Sequence, residues 1–315
     1  IKSALLWHKL FSGTLEKMGF VLNPCDPCVA NKMINGKQCA ICWFVDDLKL
    51  SHAQSTVVDR IIELIEDQHG NMVVTRGKKH TYIGMDIECT DDGEAKILMA
   101  PYLKEAIVAF GEDCTKAVTS PAATHLFEVN DKCEKSREKD RKSLHHIVAK
   151  VLFATKQGRP DNSVPIAFLT SRTSSADEDD WKKLKRVSQH TSGTLHMPLT
   201  LSIDNMSVLK TWVDAACALH HDTRSHTGGC AMMGKGVLCS KCAKQRLNVK
   251  SSTEAEIVGA SDFLPQTIWT KHFIEAQGYP VSYSLLTMPT IYRVYILVAL
   301  GDRHNQKSYT QQYQT

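Results

Sequence analysis

The sequence predicts an α+β protein built as compact units joined by a charged connection. Three observations predict it. The first 110 residues alternate helical and strand periodicity in the order helix, hairpin, helix, hairpin, helix. Residues 199–242 return to short strand-like runs, and one long helical pattern follows from Thr253. Between these regions, nearly every residue of 131–142 is charged, with both signs mixed, as in a solvated helix face or linker.

In the first region Leu6, Leu10, Phe11 and Leu15 recur at helical spacing, and Gly19 stops the pattern. Strand-like residues 29–34 and 38–44 flank Asn35-Gly36, which readily supplies the positive φ angles of a two-residue hairpin turn. Asp46 and Asp47 then fall at the end of the second strand. Residues 56–68 place Val58, Ile61, Ile62 and Ile65 on one helix face, with Thr56 as the expected N-cap and Gly70 at the end. A strand pair over 81–88 and 95–99 turns through Asp91, Asp92 and Gly93, and Pro101 opens a helix ending at Phe110.

Residues 144–190 read as mostly helical, broken at Gly158, Arg159 and Pro160. Strands are expected over 209–216, 229–233 and 237–242. The helix from Thr253 carries Ile257, Val258, Phe263 and Leu264, and resumes after Pro265 with Ile268, Trp269, Phe273 and Ile274.

The 315 residues, 43% hydrophobic and 23% charged, have the balance of a globular protein with room for two domains, which excludes a disordered tail protein. A formal charge of +4 allows contact with polyanions through local basic clusters and decides nothing alone. No apolar run reaches the roughly 18 residues of a membrane-spanning helix, the nearest being 291–300 with Arg293 inside it. No secretory leader is visible, and a chain without an initiator Met reads as cut from a longer one. Eleven cysteines, an odd number spread over the chain, fit a reducing compartment, so a cytoplasmic or nuclear location is expected and secretion is not.

Two constellations carry chemistry. Phe44-Val45-Asp46-Asp47 places adjacent carboxylates at a hairpin bend after an apolar strand. Such neighbours repel unless a divalent cation sits between them and a phosphate, although an ordinary acidic turn has the same appearance. The second is Asp214 in a strand with Ser251-Ser252-Thr253-Glu254-Ala255-Glu256 at a helix start. Metal-assisted hydrolysis of RNA needs carboxylates converging from separate elements, and Asp214 with Glu256 could supply two. The competing reading is a capping box, Thr253 with Glu256 three residues on.

These motifs resemble the reverse transcriptases of copia-type retrotransposons. Trp7 and Leu10, Gly19-Phe20, Asp26-Pro27-Cys28 and the Phe44-Val45-Asp46-Asp47 turn are similar to the family's polymerase region. Tyr82-Ile83-Gly84-Met85-Asp86-Ile87 resembles the hairpin after the family's catalytic turn, and Arg159-Pro160-Asp161 and residues 181–186 resemble its connecting region. Trp212-Val213-Asp214-Ala215, Ser225-His226-Thr227-Gly228-Gly229 and Ser252-Thr253-Glu254-Ala255-Glu256 are similar, in order and spacing, to the family's ribonuclease H domains.

The resemblance implies a partial palm and thumb over 1–125, a connection region over 126–200, a ribonuclease H-like three-layer α/β domain over 201–285 and a divergent tail over 286–315. It implies RNA-directed DNA synthesis and hydrolysis of RNA in RNA/DNA hybrids, with Mg2+ or Mn2+ held by Asp46, Asp47, Asp214 and Glu256. Expected partners are an RNA/DNA hybrid or another nucleic acid and other retroelement pol or gag chains, inside a virus-like particle or the nucleus. Asp46 is preferred over Asp47 as the direct ligand. Glu256 is preferred over Glu254 because Ile257 and Gly259 follow it as the family pattern requires. The family's polymerase also uses an aspartate from an earlier palm strand and a fingers region, neither of which matches this sequence, so polymerisation by this chain alone is not expected. A third hydrolase carboxylate is expected after the Gly278-Tyr279-Pro280 turn, where the sequence instead reads Thr290-Ile291-Tyr292-Arg293-Val294-Tyr295, and Asp302 lies too far along to replace it.

Other features divide less sharply. Cys25 and Cys28, Cys39 and Cys42, and Cys239 and Cys242 form three Cys-x-x-Cys pairs, yet Cys39 and Cys42 lie in a strand that sends them to opposite faces, which favours reduced thiols over zinc. The pairs His145-His146 and His220-His221 are expected to be solvent-exposed. Lys241, Lys244, Arg246 and Lys250 fit either a phosphate grip or a solvated edge strand.

Overall fold

Apolar alternation in the N-terminal region produces an antiparallel meander whose inner face needs a helical cover. The computed structural model describes residues 2–135 and 137–287. Helix α1 (Lys2–Lys17) leads into β1 (Val21–Asn23), β2 (Asp26–Ile34), β3 (Lys37–Phe44) and β4 (Asp47–Ser51), which pair in that order. The β2–β3 turn has Asn35 and Gly36 at φ 52° and 70°, the expected geometry. Cys39, Ile41 and Trp43 of β3 enter a core with Phe11 and Leu15 of α1 and Ile61 and Ile65 of α2 (Ser55–His69). The N-cap of α2 is Gln54 rather than Thr56. Asn35 donates to the Gln54 side chain, so the hairpin tip rather than a capping hydroxyl engages this residue.

The second strand pair is a three-stranded meander. Ile83 and Gly84, at φ 50° and 70°, turn β5 (Lys79–Tyr82) into β6 (Met85–Cys89), which pairs with β7 (Ala95–Leu98). Helix α3 (Ala100–Phe110) carries Pro101 in its first turn. Helices α4 (Glu138–Gln157), α5 (Ser163–Arg172) and α6 (Glu178–Gly193) follow, with a 3-10 turn at Pro160–Asn162 where the sequence predicts the break. Their shared core joins Phe110 and Leu126 to Leu144, Ile147, Ile166, Phe168, Leu184 and Val187, so it extends across the boundary expected near residue 125. Strand β8 (Leu199–Leu201) then returns to pair with β7.

The third sheet has the order β11-β10-β9-β12, formed by β9 (Val208–Ala216), β10 (His226–Met232), β11 (Cys239–Lys244) and β12 (Ser282–Thr287). The first three are antiparallel, and β12 runs parallel to β9 after a crossover through α7 (Ser252–Ala276). Helix α7 continues through Pro265 instead of stopping and resuming. Burial of Phe263 and Thr267 on either side holds the helix together despite the lost backbone hydrogen bond.

The C-terminal end of α7 docks on the first sheet. Asn23, 1% exposed, donates from Nδ2 to the Phe273 carbonyl at 3.1 Å. Gln38 donates to the Gln277 carbonyl at 2.8 Å, and Trp269 donates to the Cys25 carbonyl at 3.2 Å. No helix among the described residues is long and apolar enough to cross a membrane.

Candidate functional site

The start of α7 decides what Glu256 can do. Ser251 is its N-cap, accepting from the Glu254 backbone amide at 3.2 Å, while the Glu254 carboxylate accepts from the Lys250 amide at 2.7 Å. Capping therefore uses Ser251 and Glu254. The expected competing box of Thr253 and Glu256 is not the one that forms, because the helix begins earlier, and Glu256 lies one turn further in.

From there Glu256 reaches the sheet. The backbone N–H of Ala215 is 3.0 Å from Asp214 Oδ1 and 3.3 Å from Glu256 Oε1. One donor thus lies between two carboxylates from separate elements, and those oxygens are no further apart than the two lengths laid end to end. Asp214 is exposed, whereas Ala215 on the opposite strand face is buried beneath α7. Strand β12, as described, ends with Thr287 opposite Val213, so Ala215 lies beyond its last pair.

Two residues hold the helix at this distance. A Cβ on Gly259 would sit 3.4 Å from the Ala215 Cβ and 3.5 Å from Thr227 Oγ1, so a small residue here permits the close approach. Gln245, buried, donates from Nε2 to Thr227 Oγ1 at 3.0 Å and to the Ala255 carbonyl at 2.8 Å, tying the first turn of α7 to β10. Sequence reasoning passes over Gln245, whose only signal is a polar residue inside the basic stretch before the helix.

The other pair lies at the β3–β4 turn. Phe44 pairs with Asp47, leaving Val45 and Asp46 as the turn residues, and both aspartates are exposed. Val45 has φ 56°, a left-handed conformation that strains a β-branched residue. Trp7 of α1 donates from its indole to the Val45 carbonyl and stacks on Phe11, which anchors the turn to the core. The structure brings Asp46 and Asp47 together by sequence and Asp214 and Glu256 together by folding.

The remaining candidates sort by environment. Cys39 is buried with Ile41 and Trp43, while Cys42 faces the other side of β3. His145, His146 and His221 are exposed, but His220 is not. It packs against Phe127 and Phe168, with its Nε2 2.9 Å from His226 Nδ1, and His226 Nε2 is 3.0 Å from Cys242 Sγ. The expectation of exposure fails because a turn after β9 folds one ring of the pair inward. Burial lowers both rings to about 4, with Lys244 adding to the effect on His220, and burial raises the Cys242 thiol to about 11. Within the basic stretch, Lys244 pairs with Asp222 at 2.6 Å and Lys241 donates to the Asp262 carbonyl, while Arg246 and Lys250 are exposed.

Asp214 and Glu256 suit a hard cation such as Mg2+, which commonly binds one or two carboxylates, a substrate phosphate and water. A full three-ligand set is not present: among the described residues no three His, Cys, Asp or Glu side chains are grouped to hold a metal ion. The expected third position, within 290–295, and Asp302 lie outside the described residues.

No protein-family model matches the sequence. The chain is 24% identical over 265 residues to the transposon Ty5-1 protein of Saccharomyces cerevisiae, covering 83% of this chain and 84% of that protein. It is 22% identical over 285 residues to the retrovirus-related Pol polyprotein from transposon TNT 1-94 of Nicotiana tabacum, covering 86% of this chain and 21% of that polyprotein. An uncharacterised mitochondrial protein of Arabidopsis thaliana is 23% identical over 68% of the chain. Among solved structures, the foamy viral protease-reverse transcriptase in complex with RNA/DNA hybrid shows a loose likeness, with TM-score 0.47 and 12% identity over 85% of this chain and 38% of that one. The chain is thus similar, over most of its length, to proteins named for transposons.

Proposed function

We propose that this chain is the rear part of a copia-type reverse transcriptase followed by a ribonuclease H-like domain, and that its substrate is the RNA strand of an RNA/DNA hybrid. In this reading residues 1–125 are partial palm and thumb, 126–200 the connection, whose core also takes in Phe110 and Cys114, and 201–285 the hydrolytic domain. The observation that carries it is the meeting of Asp214 and Glu256 at the Ala215 amide, on a sheet whose β12 returns parallel to β9. A divalent cation bound there would supply Lewis-acid polarisation of a phosphodiester. The protein's own part is to hold two carboxylates at fixed separation, through Gln245 and the close approach at Gly259. Asp46 and Asp47 offer a pair without a third ligand among the described residues, and in this reading the chain does not polymerise DNA by itself.

The same lack of a three-ligand cluster favours a second reading, a nucleic-acid-binding remnant without catalysis. Both readings require hybrid recognition. Competition between a labelled RNA/DNA hybrid and unlabelled duplex DNA should show a preference for the hybrid of at least about tenfold, weakening as salt rises. Equal affinity for both duplexes would remove the hybrid from the proposal.

A further inference from the structure

A separate cavity of about 230 Å³ opens between α6 and the 121–126 loop, lined in part by His125, Leu126, Asp179, Lys182, Lys183 and Arg186. None of these belongs to the Asp214 site. On α6 the four charged residues fall at i, i+3, i+4 and i+7, so one helix face carries them all. Their charges do not cancel. Lys183 pairs with Asp179 at 2.8 Å, donates to the Glu128 carbonyl at 2.6 Å and lies over the Phe168 ring, which fixes it as part of the wall.

Lys182 and Arg186 differ from it. Neither makes an ion pair among the described residues, and the Nε of half-buried Arg186 is shielded from solvent without a hydrogen-bond acceptor. A guanidinium drawn partly out of water with its inner donor unused is costly unless an anion meets it. Its planar fork suits two oxygens of one tetrahedral group. The walls are firm, since Leu126 is buried in the helical core and its amide closes a turn onto the Ala123 carbonyl at 3.1 Å.

We infer that this cavity binds a phosphate of the nucleic-acid backbone, with Arg186 as the principal donor and Lys182 as a second cation at the rim. The inference rests on the proposed nucleic-acid function and adds a contact outside the Asp214 site. It does not concern free phosphate, which offers the same oxygens and is separated by the test.

The test measures affinity of the full chain for a fluorescent RNA/DNA hybrid over a range of salt, for the wild type, Arg186→Gln and Arg186→Lys, each confirmed folded by thermal melting. Arg186→Gln should weaken binding about tenfold and reduce the slope of log affinity against log salt by about 0.9, the share of one phosphate contact. Arg186→Lys should restore the slope but only part of the affinity. Millimolar inorganic phosphate added to the wild type should leave hybrid binding at matched ionic strength nearly unchanged. Unaltered affinity and slope in a folded Arg186→Gln protein would overturn the inference while leaving hybrid recognition standing. Wild-type binding to single-stranded RNA but not hybrid, still lost in Arg186→Gln, would keep the cavity and overturn the hybrid reading. Binding of no nucleic acid would overturn both, and displacement of hybrid by phosphate alone would make the site one for the free anion.

Discussion

Asp214 and Glu256, 42 positions apart in the numbering and on different elements, share the Ala215 backbone N–H as a hydrogen-bond donor, at 3.0 and 3.3 Å. Each reaches it for a different reason. Asp214 bends back on its own strand, and Glu256 arrives because Ser251 and Glu254 take over the capping of α7. The arrangement depends on the first turn of α7 staying where it is.

Gln245→Ala removes two buried hydrogen bonds, to Thr227 and to the Ala255 carbonyl. Stability should fall by about 2 kcal/mol in urea unfolding. Any cleavage should fall further than the loss of folded protein explains, because the Glu256 turn loses its tie to β10. Unchanged stability would show that Gln245 does not fix α7.

Arg159 is 2% exposed and grips Asp161 with two hydrogen bonds of 2.9 and 2.8 Å, and it also donates to the Thr194 carbonyl and hydroxyl. Burial alone would raise the Asp161 carboxyl, but Arg159 and His190 hold it below the ordinary carboxylate range. The Arg159-Pro160-Asp161 motif is thus a structural clamp across the helical region. Arg159→Lys keeps the charge and loses the fork, so it should cost about 3 kcal/mol, measured by chemical denaturation. A cost below about 0.5 kcal/mol would mean that charge alone suffices.

His220 and His226 give the protein a dependence on acid. Unfolded imidazoles protonate near 6.5, whereas burial lowers both folded rings to about 4. The unfolded chain therefore binds more protons within that window. The contribution of these rings to stability should be full above about pH 7 and fall by about 2 to 4 kcal/mol as pH drops from 6.5 to 4. Melting curves of the wild type and His220→Gln should differ in this slope, with the variant flatter. Parallel curves would contradict the assignment.

Val45 sits at φ 56° in the turn that presents Asp46. Glycine adopts this region freely, while a β-branched residue is strained there by about 1 to 3 kcal/mol. After allowing for the added freedom of glycine in the unfolded chain, Val45→Gly should stabilise the protein by about 1 kcal/mol in equilibrium unfolding. A loss of stability would show that the exposed valine is held by packing rather than tolerated.

Local features are the legible ones. Asn35-Gly36 and Pro101 act over two or three residues, so their turn and helix start can be read directly. The helix start at 251 cannot, because Ser251 with Glu254 and Thr253 with Glu256 both fit a capping pattern and choosing between them requires knowing where the chain leaves β11. His220 and Gln245 are polar residues whose burial is set by Phe127, Phe168, Thr227 and α7, partners that local periodicity does not reveal. Order and spacing point to Asp214 and Glu256, but the shared donor is a tertiary contact. Residues 290–295, where a third carboxylate is expected, lie outside the described residues.

Asp214 and Glu256 are proposed to form the working core of a hybrid-cleaving site. The most direct measurement is cleavage of an end-labelled RNA strand in an RNA/DNA hybrid, first in Mg2+ and then in Mn2+, by the wild type, Asp214→Asn and Glu256→Gln prepared identically. RNA cleavage by the wild type should be lost in both variants, with all three proteins folded. Folded wild type that cuts no more than either variant would contradict that role for the two carboxylates.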